Sequence, residues 1–246
     1  MLSTAPETDH LLKNLEILGL LPARGGSKSI PRKNIALLAG KPLLAYTCEA
    51  AKASRYHLRP VLNTDDDAIA AVGREYGIEV PFMRPAKLAQ DETPMIDVLM
   101  HSINWFNENQ NYSPEIVVLL QPTSPLRRAE HIDAGIDLLI ETGADTVVSV
   151  IEVPHQFAPD SLMLFRGGRL VPYADNPMIL RRQDKPRVFA RNGPAILVMR
   201  REVIESGRLY GDVVQPLKMA RPESVDIDDA DDLLMAEFFL SRLSGR

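Results

Sequence analysis

A single cysteine, Cys48, occurs in 246 residues. One thiol cannot close an intramolecular disulfide, so the fold has no covalent staple and a reducing compartment is the expected setting. Cys48 falls in a predicted helix with no histidine or asparagine partner nearby and reads as a core residue. No His/Cys spacing of a zinc site exists, and no serine stands in a G-x-S-x-G context, so zinc chemistry and a nucleophile elbow both lack sequence support. No run approaches the ~18 apolar residues of a membrane span. The opening residues MLSTAPETDHLLKN carry acids where a signal peptide would carry a basic region, which predicts a cytosolic protein whose residues up to about Lys13 are loosely held. An excess of positive charge is missing too. The 28 Lys and Arg against 33 Asp and Glu leave a net charge of −5, which argues against a general nucleic-acid binder.

What is present is ordinary for a soluble globular chain, 45% hydrophobic and 25% charged residues, with the length of one large α/β domain over 1–246. Strand-like and helix-like patterns alternate from Leu15 to Ser149. Ile17 to Leu21 reads as a strand buried on both faces. Leu43 to Ser54, after Pro42, reads as an Ala-rich helix. Arg59 to Asn63 is a second strand, Asp67 to Tyr76 a helix closed by Gly77, and Glu79 to Met83 a short third strand. Ile96, Leu99, Met100, Ile103 and Phe106 form one apolar helical face. Ile116 to Leu120 is the second strong strand, and Ile132, Ile136, Leu139 and Ile140 mark the next helix. Such alternation predicts βαβ units and a mostly parallel sheet.

The pattern changes after Val150. From Pro154 to Pro186 the chain predicts an irregular or β-rich insertion, with a hairpin of Leu162–Phe165 and Arg169–Tyr173 around Arg166-Gly167-Gly168. Core strands resume at Ala195 to Met199 and Val213 to Met219, with a short last one at Ser224 to Ile227. Asp229 to Leu243 closes the chain as a helix with Leu233, Leu234, Phe238 and Phe239 inward.

The stretch LEILGLLPARGGSKSIPRKN carries the strongest chemical signal. Pro22 and Gly25-Gly26 stop the first strand, and every charged residue in the loop that follows is basic: Arg24, Lys28, Arg32 and Lys33. Glycines let backbone N–H groups approach an anion, Ser27 adds a hydroxyl, and the cations supply charge for a polyphosphate. It matches neither G-x-G-x-x-G nor the P-loop pattern. A phosphate cradle and a solvated basic loop are both open on composition alone.

Near the other end, Val225-Asp226-Ile227-Asp228 alternates apolar and acidic residues. On a strand, Asp226 and Asp228 would share a face, and two carboxylates suit Mg²⁺, which takes one or two carboxylates plus phosphate oxygens and water. The competing reading is that these acids serve the N-terminus of the last helix, and for Asp229, Asp231 and Asp232 that reading is preferred. Gln121-Pro122-Thr123-Ser124 sets amide and hydroxyl groups at a strand end, for a polyhydroxylated ligand or simply a turn. Arg84 either reaches a nucleotide or anchors a loop. Arg181-Arg182-Gln183 either offers a planar fork to a carboxylate or is a surface pair.

PARGGSKSIPRKNIALLAGKPLLAYT, LLQPTSPLR, Arg182-Gln183 leading to Phe189 and Asn192-Gly193, and SVDIDDADD together resemble the acylneuraminate cytidylyltransferases, the CMP-sialic acid synthetase family. Asn63-Thr64-Asp65-Asp66 and VPFMRPAKL are also similar, so the likeness spans nearly the whole chain. The resemblance implies a Rossmann-like, mostly parallel sheet with flanking helices of the nucleotide-diphospho-sugar transferase type, in which residues 154–186 are a small dimerisation insertion and the protein a homodimer. It implies a cytidylyltransferase that couples CTP to a nine-carbon 2-keto-3-deoxy acidic sugar with Mg²⁺. In its terms Arg24, Gly25, Gly26, Ser27, Lys28, Lys33 and Asn34 hold the CTP phosphates and Arg84 helps seat the nucleotide. Gln121 and Thr123 face the sugar, Arg182, with Gln183 beside it, meets the sugar carboxylate, and Asp226 with Asp228 holds the metal. Related KDO cytidylyltransferases show a Q-G-D-x-P-type motif where this chain has Gln121-Pro122-Thr123, which favours the nine-carbon branch. Two departures bear on the sugar: Ile196 stands where a tyrosine is common, and Met95 where a serine is. The alternatives are a KDO-type or other sugar nucleotidyltransferase and a non-catalytic nucleotide-binding domain.

Overall fold

Strand β1 (Ile17–Pro22) is buried along its whole length, because its side chains are apolar on both pleated faces. Leu18 and Leu20 share a core cluster with Leu99, Ile103 and Phe106, while Ile17 and Leu21 belong to a second cluster with Leu44, Ile69 and Ile136. Each such side chain contributes about 1.5–3 kcal/mol on burial, so the two helical layers are held to the sheet chiefly here. The computed structural model that gives this architecture describes residues 15–173 and 181–243, apart from the side chains of Arg182 and Leu243.

After β1, a two-residue ribbon of β2 (Leu37–Leu38) and β3 (Lys41–Pro42) leads into helix α1 (Leu43–Lys52). β4 (Leu58–Asn63), α2 (Asp67–Glu75), α3 (Met95–Gln110), β5 (Ile116–Leu119), α4 (Ala129–Thr142) and β6 (Thr146–Glu152) follow. The insertion carries β7 (Met163–Arg166) and β8 (Arg169–Pro172). The core then resumes with β9 (Phe189–Arg191), β10 (Leu197–Arg200), α5 (Arg201–Glu205), β11 (Val214–Lys218) and α6 (Ala230–Leu243).

Among the described residues the main sheet has the order β11-β6-β10-β5-β1-β4, with β9 paired to β6. β4, β1 and β5 are parallel, as are β6 and β11, and β10 is inserted antiparallel between β5 and β6. The expected mostly parallel α/β sheet is therefore the observed one. Its parallel centre brings the carboxyl ends of β1, β4 and β5 to one edge, where open α/β sheets bind their ligands. No helix among the described residues is long and apolar enough to cross a membrane.

Three expectations need correction. Glu79 to Met83 makes only a single bridge, Val61 with Glu79, because Pro81 and Pro85 withhold ladder donors. Ser224 to Ile227 is not a strand: a 3-10 turn, Arg221–Ser224, precedes it, and the Ile227 N–H makes one bond to the Thr123 carbonyl at 2.8 Å. The next two amides, of Asp228 and Asp229, donate to the Asp232 carboxylate at 2.9 and 3.2 Å and are lost to any ladder. Val225 and Ile227 are still buried, so the inward–outward alternation holds without the sheet. In α6, Leu233 and Phe239 pack on the core, but Leu234 and Phe238 face outward, 64% and 53% exposed. The stripe through Leu233, Ala236 and Leu240 reaches the core, and Leu234 and Phe238 lie beside it on the helix.

The insertion hairpin forms close to its expected place. Gly167 and Gly168 both take positive φ, +55° and +76°, which a two-residue turn of the hairpin type requires. Among the described residues, β7 and β8 pair only with each other. Most of their apolar side chains point to solvent.

Candidate active site

The cleft is built at the carboxyl end of β1. The Ala23 N–H bonds the Asn63 carbonyl at 3.0 Å, so β1 stays paired up to the loop. The Asn34 side chain donates to the Arg24 carbonyl at 2.9 Å and closes the loop on itself. The Gly25 N–H donates to the Asp65 carboxylate at 2.9 Å. A Cβ at Gly25 would stand 2.9 Å from Asp66, the residue that caps α2, so only glycine lets this loop lie against that helix. Arg24, Gly26, Ser27, Lys28, Lys33 and Asn34 consequently line one cleft of about 500 Å³.

The acid loop closes the opposite side of the same cleft. Asp226 and Asp228 both line it. Lys33 ties the two ends of the chain together: its Nζ donates to the Ile227 carbonyl at 2.7 Å and lies 3.4 Å from Asp228 Oδ1. Ser29 Oγ donates to the Asp228 carbonyl. Asp228 is well exposed, whereas Asp226 is largely enclosed, and its Oδ1 has no hydrogen-bond partner among the described residues. Burial raises the Asp226 carboxyl above its ordinary value, Asp228 adds to this, and a hydrogen bond from Thr123 works the other way. Asp229 and Asp232 cap the start of α6 by accepting backbone amides, as the helix reading of those residues required.

Arg84 forms the floor. It is 6% exposed and spends Nε and Nη2 on Asn63, on the side-chain oxygen at 2.5 Å and the carbonyl at 2.7 Å. Burial pushes its guanidinium down to about 10, still cationic at neutral pH. Above it, Asp91 bridges Arg24 and Lys28. Those two cations, Lys28 first, hold the exposed Asp91 carboxyl below the usual carboxylate range.

Gln121 and Thr123 line the cleft at the end of β5. Gln121 also lines an adjoining pocket of about 340 Å³ together with Met95, Pro194, Leu209, Arg191 and Tyr210. Arg191 Nη1 donates to the Tyr210 hydroxyl at 2.7 Å, and the guanidinium lies 5.2 Å from the ring centroid. Ile196 is fully buried in the core cluster of α4 and β1 and does not line this pocket. Gln183 is exposed in the 3-10 turn Arg182–Asp184 and lines neither cavity, while the side chain of Arg182 lies outside the described residues.

A family model described as Cytidylyltransferase matches residues 18–192. The chain belongs to the cytidylyltransferase family. Over 224 residues it is 33% identical to a CMP-N,N'-diacetyllegionaminic acid synthase of Legionella pneumophila, covering 91% of this chain and 95% of that one. It is 30% identical to an N-acylneuraminate cytidylyltransferase of Streptococcus agalactiae and 31% to N-acylneuraminate cytidylyltransferase A of Danio rerio, covering 87% and 96% of this chain. This chain spans about half the length of those two relatives, 51% and 52%. Its fold matches a CMP:2-keto-3-deoxy-manno-octonic acid synthetase complexed with CTP at a TM-score of 0.69 and 15% identity, over 93% of this chain and 99% of that one. It also matches a 4-diphosphocytidyl-2C-methyl-D-erythritol synthase of Anaerococcus prevotii at 0.65 and 12%, over 95% and 99%.

For a cytidylyltransferase, two features of the cleft and one of the adjoining pocket are not legible in the sequence. Asp91 sits in a polar turn before α3, and no spacing links it to Arg24 and Lys28, 67 and 63 positions away. Ser29 lines the cleft as Ser27 does, and its bond to the Asp228 carbonyl spans 199 positions of sequence. Arg191 and Tyr210 meet through tertiary packing alone, although Arg191 directly precedes the noted Asn192-Gly193 pair and could have been singled out with it.

Proposed function

We propose that this cytidylyltransferase joins CTP to a nine-carbon 2-keto-3-deoxy acidic sugar, forming the CMP-sugar and pyrophosphate. The observation that carries this reading is the shared cleft, in which basic residues from the amino end face carboxylates from the other end, with a second pocket opening at Gln121. The sugar's anomeric oxygen attacks the α-phosphorus of CTP, its hydroxyl proton leaves to solvent, and the bond from the α-phosphorus to the bridging oxygen breaks to release pyrophosphate. Transfer of this kind needs positioning and charge neutralisation more than covalent chemistry.

Arg24, Ser27, Lys28 and the Gly25-Gly26 turn receive the triphosphate, with Asn34 holding the loop and Lys33 fixing the acid loop beside it. Arg84 seats the nucleotide from below. Gln121 and Thr123 bind the sugar next to the reacting phosphate. Arg182 and Gln183 are the carboxylate-side residues implied by the family resemblance, and Arg191 offers a guanidinium already directed at the adjoining pocket. That pocket's Met95, Pro194, Leu209 and Tyr210 suit the acylated parts of a nine-carbon sugar. Asp226 and Asp228 fit Mg²⁺: the half-buried Asp226 has an enclosed oxygen without a partner among the described residues, Asp228 is exposed, and two such ligands leave coordination sites for phosphate oxygens and water. When bound, Mg²⁺ supplies positive charge to the triphosphate.

The single cysteine, Cys48, free and buried, accords with a reducing cytoplasmic setting. The solvent-facing hairpin supports a homodimer formed through residues 154–186. The test is pyrophosphate release from each of four nucleoside triphosphates with N-acetylneuraminic, N,N'-diacetyllegionaminic, pseudaminic, KDN and KDO acids. Turnover with CTP and one or more of the nine-carbon acids is expected. Preference for KDO acid or another triphosphate, or CTP binding with no release on any acid, overturns the reading.

A further inference from the structure

Behind the junction of the two pockets lies a side chain that neither touches the cleft nor pairs with an acid. Arg127 is 3% exposed, and among the described residues it has no carboxylate partner. Its Nη1 donates to the Gln121 carbonyl at 3.1 Å and the Ala195 carbonyl at 2.8 Å, and its Nη2 to Thr47 Oγ1 at 2.5 Å. Nε has no partner among the described residues. An enclosed cation hydrogen-bonded only to neutral oxygens is unfavourable, and burial pushes this guanidinium down to about 9 against the opposing pull of Cys48 and the Asp226 carboxylate. For stability alone, an apolar side chain would serve as well or better at such a place.

What the guanidinium joins gives its use. Gln121, with Met95, is shared by the nucleotide cleft and the adjoining pocket. Ala195 ends the turn whose Gly193 and Pro194 form the far wall of that pocket. The same turn lies against the acid loop: a Cβ at Gly193 would stand 3.2 Å from the Asp226 carboxyl carbon. Thr47 anchors the fork to α1, so the clamp is referred to the body of the domain. One planar fork with fixed donor directions therefore fixes the spacing of two walls from different parts of the chain, the Gln121 carbonyl on one side and, 68 positions beyond Arg127, the Ala195 carbonyl on the other. A lysine ammonium has no such fork.

We propose that Arg127 is a positioning residue for the acceptor side of the reaction, setting the distance between Gln121 and the Gly193–Ala195 turn while leaving the nucleotide cradle untouched. The proposal rests on the acidic-sugar reading above. Arg127→Lys is compared with the parent, and Thr47→Val, which removes only the α1 anchor, serves as the milder second variant. The CTP dissociation constant is measured by calorimetry, kcat and KM are measured with N-acetylneuraminic and N,N'-diacetyllegionaminic acids, and crystal structures of parent and Arg127→Lys are superposed. The expected result is CTP binding within about twofold of the parent, acid KM raised about tenfold in Arg127→Lys and about threefold in Thr47→Val, and a changed separation of the Gln121 and Ala195 carbonyls in the Arg127→Lys crystal. Unchanged acid KM with only a lower melting temperature, parallel losses of CTP and acid binding, or superimposable walls would each overturn the proposal. A parent enzyme that turns over none of the nine-carbon acids would sink the acidic-sugar reading instead, and the superposed walls would still decide the clamp; where the parent prefers pseudaminic acid or KDN, the same constants are measured with that acid.

Discussion

Asp226 carries two opposed demands. Its carboxyl is raised by burial and by the neighbouring Asp228, so the folded protein without a cation holds a proton there more readily than the unfolded chain does. Such a group stabilises below its unfolded pKa, and the contribution falls away as pH rises through the raised folded value. At neutral pH the ionised Asp226 is therefore a liability unless a cation answers it. Asp226→Asn removes that liability and the ligand together. The variant should melt at or above the parent temperature at pH 7 without Mg²⁺, while turnover drops on the order of a hundredfold or more, the scale for deleting a group that handles transition-state charge. Near-parental turnover in the folded variant would remove Asp226 from the metal site. Asp91 shows the complementary arrangement: Arg24 and Lys28 are answered by a carboxylate of the chain itself. A triphosphate entering the cradle meets cations that already have an anion, so its gain there is a difference between two pairings.

At the scale of the element, α4 starts with an unusual cap. The Arg128 N–H donates to His131 Nδ1 at 3.1 Å, and Nε2 lies 3.3 Å from Glu223, which also pairs with Arg128. The Nδ1 acceptor exists only while the ring is neutral. Burial lowers the His131 pKa, Arg128 acts in the same direction, and Glu223 and Glu130 oppose it. A histidine with a lowered folded pKa stabilises above its unfolded value near 6.5 and loses that contribution as pH falls through the folded value. Glutamine at this position accepts the same bond without titrating. His131→Gln should thus match the parent at pH 8 and resist a loss the parent suffers by pH 5, about 1 kcal/mol or roughly 2–4 °C in melting temperature. Identical melting profiles from pH 8 to pH 5 would show that the cap does not titrate. The periodicity of Ile132, Ile136 and Leu139 made α4 legible from the sequence, and the same held for β1 and β5, whose apolar runs leave no second way to bury them. The histidine cap was not legible, because it depends on Glu223 arriving from 92 positions later. The false strand at Ser224–Ile227 has a related cause: alternation records which side chains turn inward, but the backbone amides of Asp228 and Asp229 were already committed to Asp232. For the site, Arg24, Lys28, Lys33, Asp226 and Asp228 were readable as charge against composition. Their convergence was not, since Lys33 and Ile227 meet only through the fold.

At the scale of the whole molecule, the hairpin is the part that the domain's own core does not explain. β7 and β8 pair with nothing else in the described sheet, and Phe165, Leu170 and Tyr173 are 76%, 65% and 58% exposed. Met163 and Phe157 add to this apolar surface at 45% and 58%. A hairpin of two short strands has little stability by itself in water, and a concentration of bare aromatic and aliphatic side chains marks a surface meant to be covered. A second copy covers it in the homodimer proposed above, because a two-fold contact lets the same patch serve both partners. The 27.4 kDa chain should therefore sediment at twice its mass. Phe165→Asp with Leu170→Asp, both on exposed positions and away from the cleft, should shift it to the monomer while CTP binding in the cradle stays intact. A parent that sediments as a monomer, or a double variant that still sediments as a dimer, would put the covering of this hairpin elsewhere.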